Sequence, residues 1–149
     1  MLEFIVTGGM TFGSVLLFGY WFRYTCLLIL STKTIRDHAG SMAAAHQLSF
    51  LQVQSQLRGS ASANLAPLHD ALDRDYAIVM RLLAQKRSSA QSGMESWMLQ
   101  MNYRLMGSWA RVSSRFSPAA ACRALDEMSQ VVAHFANAMG ELASASAAA

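Results

Sequence analysis

The sequence has little of what small non-helical folds depend on. Its 149 residues include two prolines, Pro67 and Pro118, and two cysteines, Cys26 and Cys122. No C-x-x-C pair and no Cys/His spacing of a metal site is present, which argues against a disulfide-linked scaffold and fits a reducing compartment. Strand-like alternation of apolar and polar residues is also weak. Because Ala, Leu, Met and Gln are abundant instead, the chain is predicted to be all-α.

Catalytic sequence motifs are lacking as well. There is no Gly-rich phosphate loop, no G-x-S-x-G turn and no H-E-x-x-H helix. No second His/Asp set has the spacing to complete a metal site with His69 and Asp70. We therefore predict that the protein is not an enzyme and binds neither a cofactor nor a metal.

Charge is scarce, and it is scarcest at the start of the chain. Charged residues make up 14% of the sequence, and the stretch from Phe4 to Leu30 contains only one, Arg23. A helix over this stretch would be about 40 Å long, enough to cross a hydrocarbon core of about 30 Å. It has neither the basic start nor the A-x-A site of a cleaved signal peptide. Residues 1–31 are therefore predicted to be an uncleaved transmembrane anchor.

The end of this span indicates its orientation. Four residues form a predicted interfacial anchor: Tyr20, Trp21, Arg23 and Tyr24. Lys33 and Arg36 follow the span closely, and positive charge favours the cytoplasmic side. We predict a single-pass protein of a bacterial-type inner (plasma) membrane, with the N-terminus outside and the C-terminal domain in the cytoplasm.

Small residues lie on one side of the predicted span. Gly9 and Gly13 form a G-x-x-x-G pattern, with Ser14 beside them. Such a strip lets another helix approach closely, so these residues are a candidate helix-packing site. The alternative is that the pattern reflects only the glycine content of the span.

The remainder is predicted to be a helical bundle. Residues 32–142 contain about four helices joined by loops of roughly four to seven residues, which favour an up-down arrangement. The first helix has an apolar stripe from Ile35 to Leu57, and the second one from Leu65 to Leu83. Residues 143–149 are Ala and Ser only, and we expect a flexible tail.

The last two helices are the most amphipathic. The third has one apolar face that we expect to point inward, formed by Met94, Met98, Met101, Leu105, Trp109 and Val112. The same helix has a second apolar flank, formed by Leu99, Tyr103 and Met106. We therefore expect other helices to pack on two of its sides. The fourth has the most regular stripe: Ala121, Leu125, Met128, Val132, Phe135, Met139 and Leu142.

Two groups of polar residues are candidate sites. His46 lies in the first apolar stripe, and folding the helices back on one another brings Asp75 and Arg104 to the same height. This buried polar cluster either fixes helix register or binds a proton, a metal or a small anion. Separately, Arg104, Arg111 and Arg115 form a stripe about 100° from the apolar face of their helix, with Trp97 on the same flank.

The arginine stripe lies in the most basic part of the chain. Seven basic residues and one acid, Glu95, occur between Arg81 and Arg123. Anionic lipid, an acidic protein or nucleic acid could bind such a stripe, although no nucleic-acid motif is present and nucleic acid is the least favoured. A solvated rim of arginines is the alternative.

These features favour a non-catalytic accessory or scaffolding subunit of a larger membrane protein assembly. Its partners are expected to be other membrane proteins, with a homo-oligomer included. The alternative is a membrane-tethered module whose basic stripe holds anionic lipid, nucleic acid or an acidic partner. A third hypothesis is a small sensor or enzyme built on His46 and Asp75.

Overall fold

The computed structural model describes residues 1–32, 37–59, 64–86 and 93–148. Over these ranges it contains six α-helices and no strand, which confirms the all-α class. The helices are α1 (Leu2–Ser31), α2 (Ala39–His46), α3 (Phe50–Gly59), α4 (Leu65–Lys86), α5 (Met94–Ser113) and α6 (Pro118–Ala148). The chain divides into two units, residues 1–32 and residues 33–149.

The first unit is the helix α1. Of the helices in the described ranges, it is the one long and apolar enough to cross a membrane by length and composition, with a mean hydropathy of 1.5. Its hydroxyl groups bond to its own backbone: Thr11 donates to the Thr7 carbonyl and Ser14 to the Met10 carbonyl, both at 2.8 Å. A helix that satisfies its polar groups internally is suited to lipid. Lys33 and Arg36, on which the predicted orientation depends, lie outside the described residues.

The second unit is organised around α6. This 31-residue helix contacts α2, α3, α4 and α5. Six of the seven residues predicted for its apolar stripe are buried: Ala121, Leu125, Met128, Val132, Phe135 and Met139. Ala124 and Val131 are buried on one side of this stripe, and Ala136 is buried on the other side. Because the stripe and both of its flanks are covered, α6 has neighbours on several sides, as a central helix must.

The end of α6 differs from the predicted tail. The Ala/Ser segment 143–148 continues the helix, so residues 143–148 are its last turns. Alanine has the highest helix propensity of any residue, and the segment contains no glycine or proline to stop the helix.

The predicted first helix of this unit is two helices, so the prediction of one continuous helix was wrong. Gln47 adopts a left-handed conformation (φ 52°, ψ 43°) that ends α2, and the Leu48 N–H bonds to the Ala43 carbonyl at 2.9 Å. In a continuous helix, Leu48 and Phe50 would project about 200° apart. The break allows both side chains to be buried.

Helices α4 and α5 pack against α6 through aromatic and polar contacts. The Tyr76 and Tyr103 rings stack 4.0 Å apart, and Tyr76 meets Phe135 edge-on at 6.3 Å. The Asn102 amide donates to a Glu127 carboxylate oxygen at 2.7 Å. The predicted inward stripe of α4 is largely confirmed, since Leu68, Leu72, Val79 and Leu83 are all buried.

The close packing of α6 on α2 can be tested at Gly140. A Cβ at this position would collide with the Cβ of His38, the residue that precedes α2. We expect Gly140→Ala to destabilise the protein by about 1–3 kcal/mol, because overpacking outweighs the higher helix propensity of alanine. The measurement is urea unfolding of the full chain followed by circular dichroism.

Gly40→Ala is the matched control. Gly40 lies in α2, and a Cβ there would meet nothing within 4 Å. This substitution is expected to be neutral or to stabilise by up to about 1 kcal/mol. A Gly140→Ala variant as stable as the Gly40→Ala variant would contradict the described α2–α6 packing.

Candidate functional site

The most unusual surface of the second unit is an apolar face of α5 that no other described helix of that unit covers. Six residues at helical spacing form this outer face: Met94, Trp97, Met101, Leu105, Trp109 and Val112. Their exposed fractions range from 42% to 78%, and Phe116, just beyond the helix, is 82% exposed. Scattered exposed apolar residues are ordinary, but a continuous row about 27 Å long is unusual for an uncovered surface.

The outer face corrects the sequence prediction. Met94, Met101, Leu105, Trp109 and Val112 were expected to point inward, and they are exposed. The flank expected to be secondary is the packed one, since Leu99, Tyr103 and Met106 are buried, together with Met98 and the small residues Ser96, Gly107, Ala110 and Ser113. Small residues let α5 approach its neighbours closely: a Cβ at Gly107 would lie 3.4 Å from His69 Nε2 and 3.5 Å from Met128 Cε.

The predicted arginine stripe lies along one edge of the outer face. Arg104, Arg111 and Arg115 are all exposed, and Trp97 is 57% exposed on the same flank. The three guanidinium groups have different surroundings. Arg111 pairs with Asp73 at 3.4 Å, Arg104 lies close enough to Tyr76 to act on it electrostatically, and Arg115 borders a cavity. The face therefore presents aromatic and aliphatic side chains beside positive charge.

Asp73 connects this edge to the core. One oxygen accepts the Tyr103 hydroxyl at 3.0 Å, and the other lies 3.4 Å from both Arg111 Nη2 and His69 Nδ1. Burial raises the pKa of Tyr103 far above its ordinary value, and the Asp73 carboxylate adds to the increase. Burial also raises the pKa of Tyr76, and the positive charge of Arg104 partly offsets that increase.

A cavity of about 780 Å³ lies between the first turns of α4, the end of α5 and the start of α6. Arg111, Arg115 and Asp70 border it, and so does His69, whose buried Nε2 has no hydrogen-bond partner among the described residues. The volume would hold a small molecule or ordered water. Charges of both signs line the cavity, so it favours no single ligand class.

The predicted buried cluster of His46, Asp75 and Arg104 is not formed as such. Only Asp75 is buried, at 1% exposed, whereas His46 and Arg104 are exposed. Asp75 instead accepts hydrogen bonds from the Ser49 N–H at 2.6 Å and from the Ser49 hydroxyl at 3.2 Å. His46 ends α2 before the break at Gln47, so its position could not follow from a continuous helix. The role of Asp75 is therefore to hold the start of α3 against α4.

The predicted residues of α1 occupy one helix in the expected order. Gly9 and Gly13 have open space around them, with nothing within 4 Å of an added Cβ, and Ser14 is exposed. Tyr20, Trp21 and Tyr24 are exposed within one turn of Arg23, and their role as an interfacial anchor stays a prediction.

Four buried or bridging polar residues were not among the predicted sites: His69, Asp73, Asn102 and Glu127. Asp73 and His69 are four residues apart, a spacing that places both on one helix face, and this was the available signal. Asn102 and Glu127 carried no such signal, because their pairing depends on how α5 is rotated against α6. Among the described residues, no group of three metal-ligating side chains occurs.

Comparison with known proteins finds no match: no protein-family model, no curated protein and no solved structure matches the chain. No relative therefore supplies a function.

Asp75 gives a direct test of the α3–α4 contact. Asp75→Ala leaves the Ser49 N–H without its buried acceptor, and we expect a loss of about 2–3 kcal/mol in the free energy of unfolding. Asp75→Asn keeps one oxygen that can accept the Ser49 N–H, so about half of that loss is expected. Urea denaturation measures both. A change below about 0.5 kcal/mol in Asp75→Ala would show that the contact contributes nothing.

The raised pKa of Tyr103 predicts that the protein loses stability at alkaline pH. The contribution of the Tyr103 hydroxyl to the free energy of unfolding is fully present below the ordinary tyrosine pKa of about 10. Above that pH the unfolded chain loses the tyrosine proton while the folded chain keeps it, so stability falls as pH rises. Tyr103→Phe should cost about 1 kcal/mol at neutral pH through the lost bond to Asp73, and should weaken the decline at high pH.

The measurement is the urea midpoint of wild type and Tyr103→Phe between about pH 8 and pH 11. Some decline should persist in the variant, because burial also raises the pKa of Tyr76. Parallel pH profiles for the two proteins would contradict the buried, Asp73-bonded position of Tyr103.

Proposed function

We propose that the protein is a non-catalytic accessory or scaffolding subunit of a larger membrane protein assembly, anchored by α1. The observation that carries this proposal is α1 itself, a 30-residue apolar helix with self-satisfied hydroxyls and an open small-residue strip. An apolar helix of this kind is stable in lipid, and a strip of small residues is where another transmembrane helix can pack.

The orientation belongs to the same proposal. Lys33 and Arg36 follow α1 in the sequence, and the aromatic residues around Arg23 match one membrane interface. We place the N-terminus outside a bacterial-type inner membrane and residues 33–149 in the cytoplasm. There, the helices gathered around α6 act as an up-down bundle in which α2 and α3 together form one arm.

The partner in the membrane is another transmembrane helix, from a different protein or from a second copy of this chain. Gly9 and Gly13 are one helical turn apart on the same side of α1, and Ser14 flanks them. Larger side chains there would hold the two helices apart and remove most of their contact. Gly19 lies in the same helix, and a Cβ there would also meet nothing within 4 Å, but it is about 80–120° away from the Gly9–Gly13 line.

These positions define the experiment. A tagged chain is purified from native membranes in mild detergent, with Gly9→Leu/Gly13→Leu as the test variant and Gly19→Leu as the matched control. Partner proteins, or a second copy carrying a different tag, are expected with wild type and with the control. The double variant should lose most of them while remaining in the membrane pellet.

A monodisperse monomer without partners would contradict the assembly role. Equal recovery of partners with the double variant would contradict the strip as the contact. Recovery of the intact chain in the supernatant after high-speed centrifugation would contradict the anchor itself.

A second function is supported by a separate observation, the exposed arginines beside the outer face of α5. In this alternative, the protein is a membrane-tethered module that holds a polyanion: anionic lipid, an acidic protein or nucleic acid. Binding to anionic vesicles or DNA that weakens as salt rises would support it, and salt-insensitive binding would exclude it.

A further inference from the structure

We expect a binding partner or a membrane to cover the outer face of α5, because exposing its six apolar side chains to water is unfavourable. Removing apolar surface from water is favourable in proportion to its area, so such a row is normally covered. No described element of the second unit covers it: the neighbours of α5 within that unit lie on its buried flank with Leu99, Tyr103 and Met106.

The side chains on this face have the chemistry of a helix that lies at a membrane surface. Trp97, Trp109 and Phe116 are aromatic residues of the kind that concentrate at lipid headgroup depth, and methionine, leucine and valine fill the positions between them. Along one edge, Arg104, Arg111 and Arg115 can bond lipid phosphates while their aliphatic stems stay against apolar surface. An apolar row beside a cationic row is the pattern of interfacial amphipathic helices.

We propose that the outer face of α5 lies in the headgroup region of an anionic membrane, with its arginine edge at the lipid phosphates. This inference rests on the proposed anchoring of the chain by α1. The anchor keeps α5 near the bilayer at a high effective concentration, so that even weak docking is populated. The docked state then covers the face without any additional protein.

Lipid fits this face better than a second copy of the chain. If two copies met through antiparallel outer faces, the arginine edge of one helix would run alongside the arginine edge of the other. Like charges along such a seam destabilise the pair, and the one acid of α5, Glu95, lies on the opposite side from the arginines. A lipid surface has anionic phosphates at every position along the edge and requires no matching sequence.

Nucleic acid fits less well for a different reason. It would satisfy the arginines, but Met101, Leu105 and Val112 have no aromatic ring on which a base could stack. Lipid covers every apolar side chain of the face, whereas a nucleic acid could stack on the tryptophans but would leave Met101, Leu105 and Val112 in water.

The tryptophans of the chain allow a direct measurement. Trp97 and Trp109 are on the outer face, and the third tryptophan, Trp21, is in α1. The full-length Trp21→Phe chain reports from α5 alone, and a Trp97→Phe/Trp109→Phe chain reports from α1 alone. Each is reconstituted in lipid discs of phosphatidylcholine with brominated acyl chains, which quench tryptophan on contact, with or without about one third phosphatidylglycerol.

Two controls accompany the measurement. A chain with all three tryptophans replaced by Phe and with Ala77→Trp reports from an exposed position of α4. Charge is controlled by comparing Arg104→Gln/Arg111→Gln/Arg115→Gln with Arg58→Gln/Arg74→Gln/Arg123→Gln, which removes three exposed arginines from other helices.

We expect strong quenching of Trp97 and Trp109 in the anionic discs, less in the zwitterionic discs, and none at the α4 control. Removing the three edge arginines should lower the docking constant on the order of a hundredfold, because each basic residue near an anionic surface strengthens binding by roughly a factor of five. The other arginine triple should have a much smaller effect.

The outcomes separate this inference from the anchoring proposal. If Trp21 is quenched while Trp97 and Trp109 are not, the anchor stands and the docking of α5 on lipid is wrong, which leaves a protein as the occupant. If none of the three is quenched, the anchor is wrong and the docking proposal fails with it. Equal quenching in both lipid mixtures would overturn the role of the arginine edge.

Discussion

The burial of α6 is the constraint on which the second unit depends. One stripe of this 31-residue helix and residues on both of its flanks are buried, and four other helices contact α6. Two of those helices can be short because they pack on a long common partner: α2 and α3 have eight and ten residues and would be marginal alone. Polar contacts then fix the positions of these helices: Ser49 to Asp75, Tyr103 to Asp73, and Asn102 to Glu127.

A consequence of this arrangement is that α5 has more apolar surface than the unit can cover. Its inner flank meets α4 and α6 through Leu99, Tyr103 and Met106, and its outer face is left to the surroundings. In a protein without a membrane helix, such a face would be a liability for aggregation. In the proposed location beside a membrane, the same face would dock on lipid, and the arginines along its edge would add electrostatic attraction.

The sequence predicted the packing correctly for helices that have a single apolar face. The all-α class and the inward faces of α4 and α6 are confirmed, because in those helices the apolar stripe and the polar remainder are distinct. On α5 both flanks are apolar, and periodicity cannot say which one meets the core. The small residues Gly107, Ala110 and Ser113 on the inner flank were the available clue, since close packing needs them.

Among the predicted sites, the one within a single segment could be found from the sequence, and the one that spans three helices could not. The arginine stripe could be found from spacing alone, because Arg104 and Arg111 lie on α5 and Arg115 follows two residues after its end. The cluster of His46, Asp75 and Arg104 required three helices in known registers, and the left-handed turn at Gln47 ended α2 at His46 and changed that register. A local backbone conformation adopted by a glutamine has no strong sequence signature.

The rotation of α5 is the claim on which the proposed lipid contact depends, and thiol reactivity tests it most directly. In a chain with Cys26→Ser and Cys122→Ser, single cysteines at Leu105 and Leu99 are exposed to a small thiol reagent that also enters detergent micelles. The Leu105→Cys thiol should react as a surface group, and the Leu99→Cys thiol should react only when the protein unfolds. A protected Leu105→Cys with a reactive Leu99→Cys would mean that α5 faces the other way.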